Sequence, residues 1–104
     1  MLPGRVFLIA LATCWTTASV DAATIQIVID NLVFSPAAAS AKVGDTVEWV
    51  NKDVFAHTAT AKNGDFDVTQ PPKKTVTSVL KKAGTVEYYC RYHPNMKAVL
   101  KIEP

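Results

Sequence analysis

Within the seven residues Cys90-Arg91-Tyr92-His93-Pro94-Asn95-Met96 the sequence gathers a thiol, an imidazole and a thioether, spaced Cys-x2-His-x2-Met. Once the thiol is deprotonated these are soft donors that suit copper, whereas hard ions demand carboxylates and carbonyls. The other histidine, His57, stands 33 residues before Cys90 and must be brought in by the fold. Two imidazoles and one thiolate in a trigonal arrangement, with a weak thioether on the axis, are the donors of a blue-copper electron-transfer site. Zinc accepts Cys and His but does not ordinarily take a thioether. Taken singly, a buried Cys or Met is ordinary packing and a lone His an ordinary surface residue. Taken together, these four are the only Cys, His and Met residues from Ala23 onward, and chance accounts poorly for their spacing.

That count depends on how the chain is processed. Of its 104 residues, the first 22 (MLPGRVFLIALATCWTTASVDA) carry a cationic start at Arg5, an apolar run from Val6 to Ala12 and a small-residue end at Val20-Asp21-Ala22. This is the pattern of an export signal, with cleavage expected after Ala22. The apolar run is far short of the roughly 20 residues that span a bilayer, so no membrane span is expected. Cleavage removes Cys14 and leaves Cys90 as the only thiol of an 82-residue domain, 23–104. No intramolecular disulfide can then form, and an unpaired thiol in an oxidising compartment needs a reason to be there. A metal supplies one.

Such donors need a scaffold. Ile25, Ile27 and Ile29 alternate along one strand, Val47 and Trp49 along another, and Val86, Tyr88 and Cys90 along a third that delivers the thiol on its inward face. Met96, Ala98, Leu100 and Ile102 share a face of the last strand, so the thioether also points inward. Turn signals at Asp30-Asn31, Val43-Gly44-Asp45, Lys62-Asn63-Gly64-Asp65, Gln70-Pro71-Pro72 and Ala83-Gly84 separate these runs. Many short strands punctuated in this way predict an all-β antiparallel sandwich. The Ala-rich segment from Pro36 to Lys42 has helical propensity, yet it is too short to stand as a helix and is expected to be extended. Pro94 stiffens the loop between the thiol and the thioether.

The residues Phe34-Ser35-Pro36, Val43-Gly44-Asp45-Thr46-Val47-Glu48-Trp49-Val50-Asn51, His57, Gly84-Thr85-Val86-Glu87-Tyr88-Tyr89-Cys90 and His93-Pro94-Asn95-Met96-Lys97 resemble those of the small cupredoxins. The short ligand loop is most similar to that of the amicyanins. The resemblance implies a Greek-key β-sandwich holding one type 1 copper ion per chain, with His57, Cys90 and His93 as equatorial ligands and Met96 as the axial one. It also implies a periplasmic, monomeric carrier of single electrons whose partners are redox proteins such as a cytochrome c or a quinoprotein amine dehydrogenase. Two positions depart from the family pattern. Thr58 stands where Asn usually follows the first ligand histidine and bonds across to the cysteine loop, so a shorter reach and looser ligand loops are expected. Ala98 replaces a common Gly, which calls for a small packing adjustment.

By the same resemblance the edge of His93 reaches solvent within an apolar patch, for which Phe55 and Pro94, with Pro71 or Pro72, are the candidate docking residues. From Ala23 onward 10 Lys or Arg stand against 8 Asp or Glu, with local pairs at Lys73-Lys74 and Lys81-Lys82 that could steer an acidic partner. Neither a basic helix nor an aromatic platform is visible for a nucleic acid. Copper storage or delivery is the alternative function, but it favours Met- or His-rich exchangeable sites, and this chain has neither enrichment. Four protein donors leave no open metal position for a substrate, which argues against an enzyme.

Overall fold

Alternating burial accounts for most of the architecture. In the computed structural model, which describes residues 22–104, nine strands form in order: β1 (Thr24–Asp30), β2 (Val33–Ser35), β3 (Ala38–Lys42), β4 (Thr46–Asn51), β5 (His57–Ala61), β6 (Asp67–Gln70), β7 (Thr75–Val79), β8 (Gly84–Tyr89) and β9 (Lys97–Glu103). No helix occurs among these residues. Period-two alternation puts every second side chain on the core face: Ile27 and Ile29 on β1, Val47 and Trp49 on β4, Val86 and Tyr88 on β8, and Ala98, Leu100 and Ile102 on β9 are all buried. Of the Ala-rich segment from Pro36 to Lys42, Ala38–Lys42 is extended as expected and forms β3, while Pro36 and Ala37 make a bend before it.

The strands make two sheets, ordered β2-β1-β4-β7 and β3-β9-β8-β5-β6. The sandwich is as expected, but its sheets are mixed rather than purely antiparallel. β1 runs parallel to β4 and β3 runs parallel to β9. The cause is the short link at Pro36 and Ala37, which carries the chain from the edge of one sheet to the edge of the other. β3 thereby lies beside the final strand with no hairpin between them.

Aromatic side chains fill the space between the sheets. Tyr88 packs edge-on against Phe34 and Trp49 at centroid distances of 4.8 and 5.5 Å, and Phe66 closes the cluster at 5.8 Å from Tyr88. Such pairs contribute about 0.5–1.5 kcal/mol each beyond their buried area. The Trp49 indole N–H donates to Ser78 Oγ at 2.9 Å, so this large side chain is buried without an orphaned donor.

The register sends four connections to one pole. They are the Asn31-Leu32 turn after β1, residues 52–56 after β4, residues 71–74 after β6 and residues 90–96 after β8. Asp45, Asp65 and Gly84 lie at the other pole, where Lys82 pairs with Asp65 at 3.7 Å. The two lysine pairs are therefore separated: Lys73-Lys74 at the first pole and Lys81-Lys82 at the second.

Candidate metal centre

The loop from Cys90 to Met96 is shaped by its own backbone. Cys90 N–H donates to the Met96 carbonyl at 3.1 Å, His93 N–H to the Cys90 carbonyl at 3.3 Å and Met96 N–H to the His93 carbonyl at 2.8 Å. These bonds draw the end of β8 and the start of β9 together and hold His93 over the turn between them. Cys90 is fully buried, Met96 nearly so, and His93 half-buried.

His57 arrives from the opposite direction as the first residue of β5, fully buried, because residues 52–56 carry the chain from β4 into the other sheet at this pole. The ladder between β5 and β8 has Thr60 opposite Tyr89. Beyond it the next inward-facing amide, Thr58 N–H, points to Cys90 Sγ at 3.4 Å. A sulfur thus takes the place of the carbonyl that would continue the sheet.

The resulting cluster is compact. Cys90 Sγ lies 3.7 Å from His57 Nδ1 and 3.8 Å from His93 Nδ1, and the donor atoms of the three residues are all within 4.8 Å of one another. The fit to a metal can be tested from bond lengths. With bonds of about 2.3 Å to sulfur and about 2.0 Å to imidazole nitrogen, ligands 120° apart require a sulfur to nitrogen separation of about 3.7 Å. The two observed sulfur to nitrogen separations match that spacing, and Met96 lines the cleft beside His93. The residues fit a mononuclear soft-metal centre.

Thr58 reverses the expectation of a looser site. Its hydroxyl accepts the Arg91 N–H at 2.9 Å and lies 3.0 Å from the Thr60 hydroxyl, which in turn donates to Asp67 Oδ1 at 2.8 Å. The hydroxyl reaches because Thr58, fully buried, sits directly against the start of the cysteine loop. The two ligand segments are therefore tied twice, by the Thr58 amide on the sulfur and by its hydroxyl on Arg91.

Asp53 was not legible as part of the site. Its Oδ2 lies 2.8 Å from His57 Nε2, the ring nitrogen that faces away from the sulfur. Asn31 and Leu32, both with positive φ, direct their consecutive amides at the same carboxylate, at 2.8 and 3.0 Å. Two adjacent amides in a left-handed turn form a small anion cradle. Burial would raise the Asp53 carboxyl, but the bonds from Leu32, His57 and Asn31 outweigh it and hold the group below its ordinary value. Buried Asn51 supports the loop from beneath, accepting Asp53 N–H at 2.9 Å and donating to the carbonyls of Phe55, Gln70 and Pro71. The only hint in the sequence is an Asp four residues before His57, a spacing without meaning until the loop is folded.

Around the half-buried His93 the surface is apolar. Phe55 is 56% exposed and lies edge-on to the His93 ring at 6.2 Å, with Pro94 also exposed. Leu32 and Tyr92, themselves exposed, join His93, Pro94, Asn95 and Met96 in lining a shallow cleft of about 370 Å³.

A two-sheet sandwich with a thiol and two imidazoles converging at one pole defines a small mononuclear metal protein. The chain belongs to the cupredoxin-like domain family, whose model matches residues 4–102. It is 33% identical over 96 residues to the methylamine utilization protein MauL of Methylorubrum extorquens, covering 86% of this chain and 84% of that protein. Among solved structures it is similar to a reduced Cu(I) form of an amicyanin mutant at pH 4, with a TM-score of 0.65, 26% identity and coverage of 77% and 82%. It is also similar to a purple cupredoxin from Nitrosopumilus maritimus, with a TM-score of 0.64, 26% identity and coverage of 75% and 98%. Type 1 copper is the cofactor that this family and this donor set share.

Proposed function

We propose that the chain is an exported blue-copper protein that carries single electrons between redox proteins. His57, Cys90, His93 and Met96 would hold the copper ion. The observation that carries this reading is the spacing of Cys90 Sγ from the two Nδ1 atoms, 3.7 and 3.8 Å. Copper bound there supplies a reversible one-electron couple between Cu(I) and Cu(II).

The residues of the chain do the rest. The three backbone bonds across residues 90–96 and the Thr58 ties hold the donors in one arrangement, so little reorganisation accompanies a change of charge. Cys90 and His57 are fully buried, which keeps water from the thiolate and the first imidazole. A single thiolate offsets part of the metal charge, so the apolar surroundings need not stabilise a large one. His93, half-buried beside exposed Phe55, offers the route from the interior to the surface. The apolar area formed with Pro94 is the docking face, and Lys73 and Lys74 at the same pole favour an acidic partner. All four donors come from protein, so no metal position is left for substrate and no catalytic activity is proposed.

Residues 1–21 lie outside the described residues, and the export signal with cleavage after Ala22 remains part of this proposal. Periplasmic location and a monomeric state belong to it too. Among the described residues no helix is long and apolar enough to cross a membrane. The partner is a cytochrome c or a dehydrogenase, the reading for which a relative named for methylamine utilization is the support.

Voltammetry of the copper-loaded chain tests the proposal. One reversible electron per chain, with copper retained through repeated cycles, is expected. Loss of copper on reduction would instead fit a delivery protein.

A further inference from the structure

We propose that Asp53 is a positioning residue for His57 whose fixed negative charge favours the oxidised state of the site and so lowers its reduction potential. The inference rests on the copper reading above. It concerns a residue that is not itself a ligand.

The two nitrogens of the His57 ring have separate tasks. Nδ1 faces the sulfur at 3.7 Å and Nε2 faces Asp53 Oδ2 at 2.8 Å. A metal on Nδ1 leaves the proton on Nε2, so the ring N–H donates to the carboxylate. This pairing of a ligand histidine with a carboxylate fixes the ring orientation and makes the imidazole a stronger donor.

The carboxylate is held as firmly as the ring it holds. Asn31 and Leu32 donate their amides to it, and Asp53 N–H is itself anchored on Asn51 Oδ1. The side chains of His57 and Asp53 are 0% and 11% exposed, so solvent screens the pair weakly. His93 has a different setting, half-buried against Phe55, and the anchored imidazole is thus the inner one.

The sign of the effect follows from charge. Cu(II) carries one positive charge more than Cu(I), and a stationary anion behind one ligand stabilises it more. A merely structural role for Asp53 would weaken both oxidation states alike. Only an electrostatic role separates them.

The test compares the unaltered chain with Asp53→Asn, which keeps the shape and removes the charge. Potentials are read by voltammetry, and Cu(I) and Cu(II) affinities by competition with chelators. Loss of such a partner typically weakens metal binding by about 10–100-fold. Here the loss should fall mainly on Cu(II), changing the Cu(II) to Cu(I) preference by roughly tenfold, a rise in potential of about 59 mV for one electron. An unshifted potential, or equal weakening of both states, overturns the proposal while leaving the copper reading intact. An unaltered chain with no blue band overturns the copper reading and the proposal with it. A second measurement needs no variant: in the Cu(I)-loaded chain the His57 Nε2–H resonance should exchange slowly with solvent. Exchange as fast as that of free imidazole would count against the hydrogen bond and the proposal.

Discussion

Replacing Thr58 by Val removes one hydroxyl and almost nothing else, which isolates its tie to the cysteine loop. The side chain is fully buried and β-branched in both cases, so neither a cavity nor a change of strand propensity is introduced. What is lost is the acceptor for Arg91 N–H, 2.9 Å away in a partly buried setting. Leaving such a donor unsatisfied costs about 1–3 kcal/mol, and partial solvent access places this case at about 1–2 kcal/mol. For a domain of this size each kcal/mol moves the melting temperature by about 4–8 °C, so the metal-free Thr58→Val chain should melt about 4–16 °C lower. Thr69→Val is the control: it removes the hydroxyl of the exposed residue opposite Thr58 on β6, which makes no side-chain hydrogen bond, and should cost no more than about 0.5 kcal/mol. The Thr58 amide still reaches the sulfur, so the visible band of the copper-loaded variant should keep its position. Calorimetry of the two variants decides the matter. If Thr58→Val melts like the unaltered chain, or like Thr69→Val, the hydroxyl does not tie the loops.

Three further outcomes are expected. Tyr88 has a buried hydroxyl without a hydrogen-bond partner, and burial raises its pKa, so Tyr88→Phe should be neutral or about 1 kcal/mol more stable in denaturant titration; a clear loss would mean the hydroxyl has a bound partner. Asp45 accepts amides from Ala23 and Lys42, and these bonds lower its pKa below the ordinary 3.8. A carboxyl depressed on folding stabilises the fold above its unfolded pKa, and this contribution disappears as pH falls through the folded value. Acid unfolding should therefore be less steep in Asp45→Asn, and in a chain beginning at Ala23, whose amino group would be cationic, the difference should widen. Charged substitutions at Phe55 or Pro94 should slow electron exchange with a partner protein in stopped-flow mixing and leave the visible spectrum unchanged; an unaltered rate would exclude this face as the docking site.

The thiol, the loop histidine and the thioether were legible because all three sit within a single short loop whose flanking strands alternate cleanly. The inward face of Val86, Tyr88 and Cys90 followed from period two alone. His57 was legible only as the remaining imidazole; its arrival depends on residues 52–56 crossing between sheets, which no local pattern encodes. The parallel pairs of β1 with β4 and β3 with β9 were missed for a similar reason, since alternation gives the buried face of a strand and not the direction of its neighbour. Thr58 departs from expectation because its side-chain length does not set its reach. The backbone sets the distance instead, bringing Thr58 N–H to within 3.4 Å of the sulfur. Asp53 was invisible because its role needs the Asn31-Leu32 turn, 21 and 22 residues earlier in the chain, folded against it.

The visible spectrum of the Cu(II)-loaded chain, taken beside that of Cys90→Ser, bears most directly on the central claim that this thiolate and two imidazoles hold copper. An intense thiolate-to-copper band is expected at one copper per chain, bleached by one electron and restored on reoxidation, and absent from Cys90→Ser. Stoichiometric copper without that band, or a band that survives the loss of the Cys90 sulfur, would contradict it.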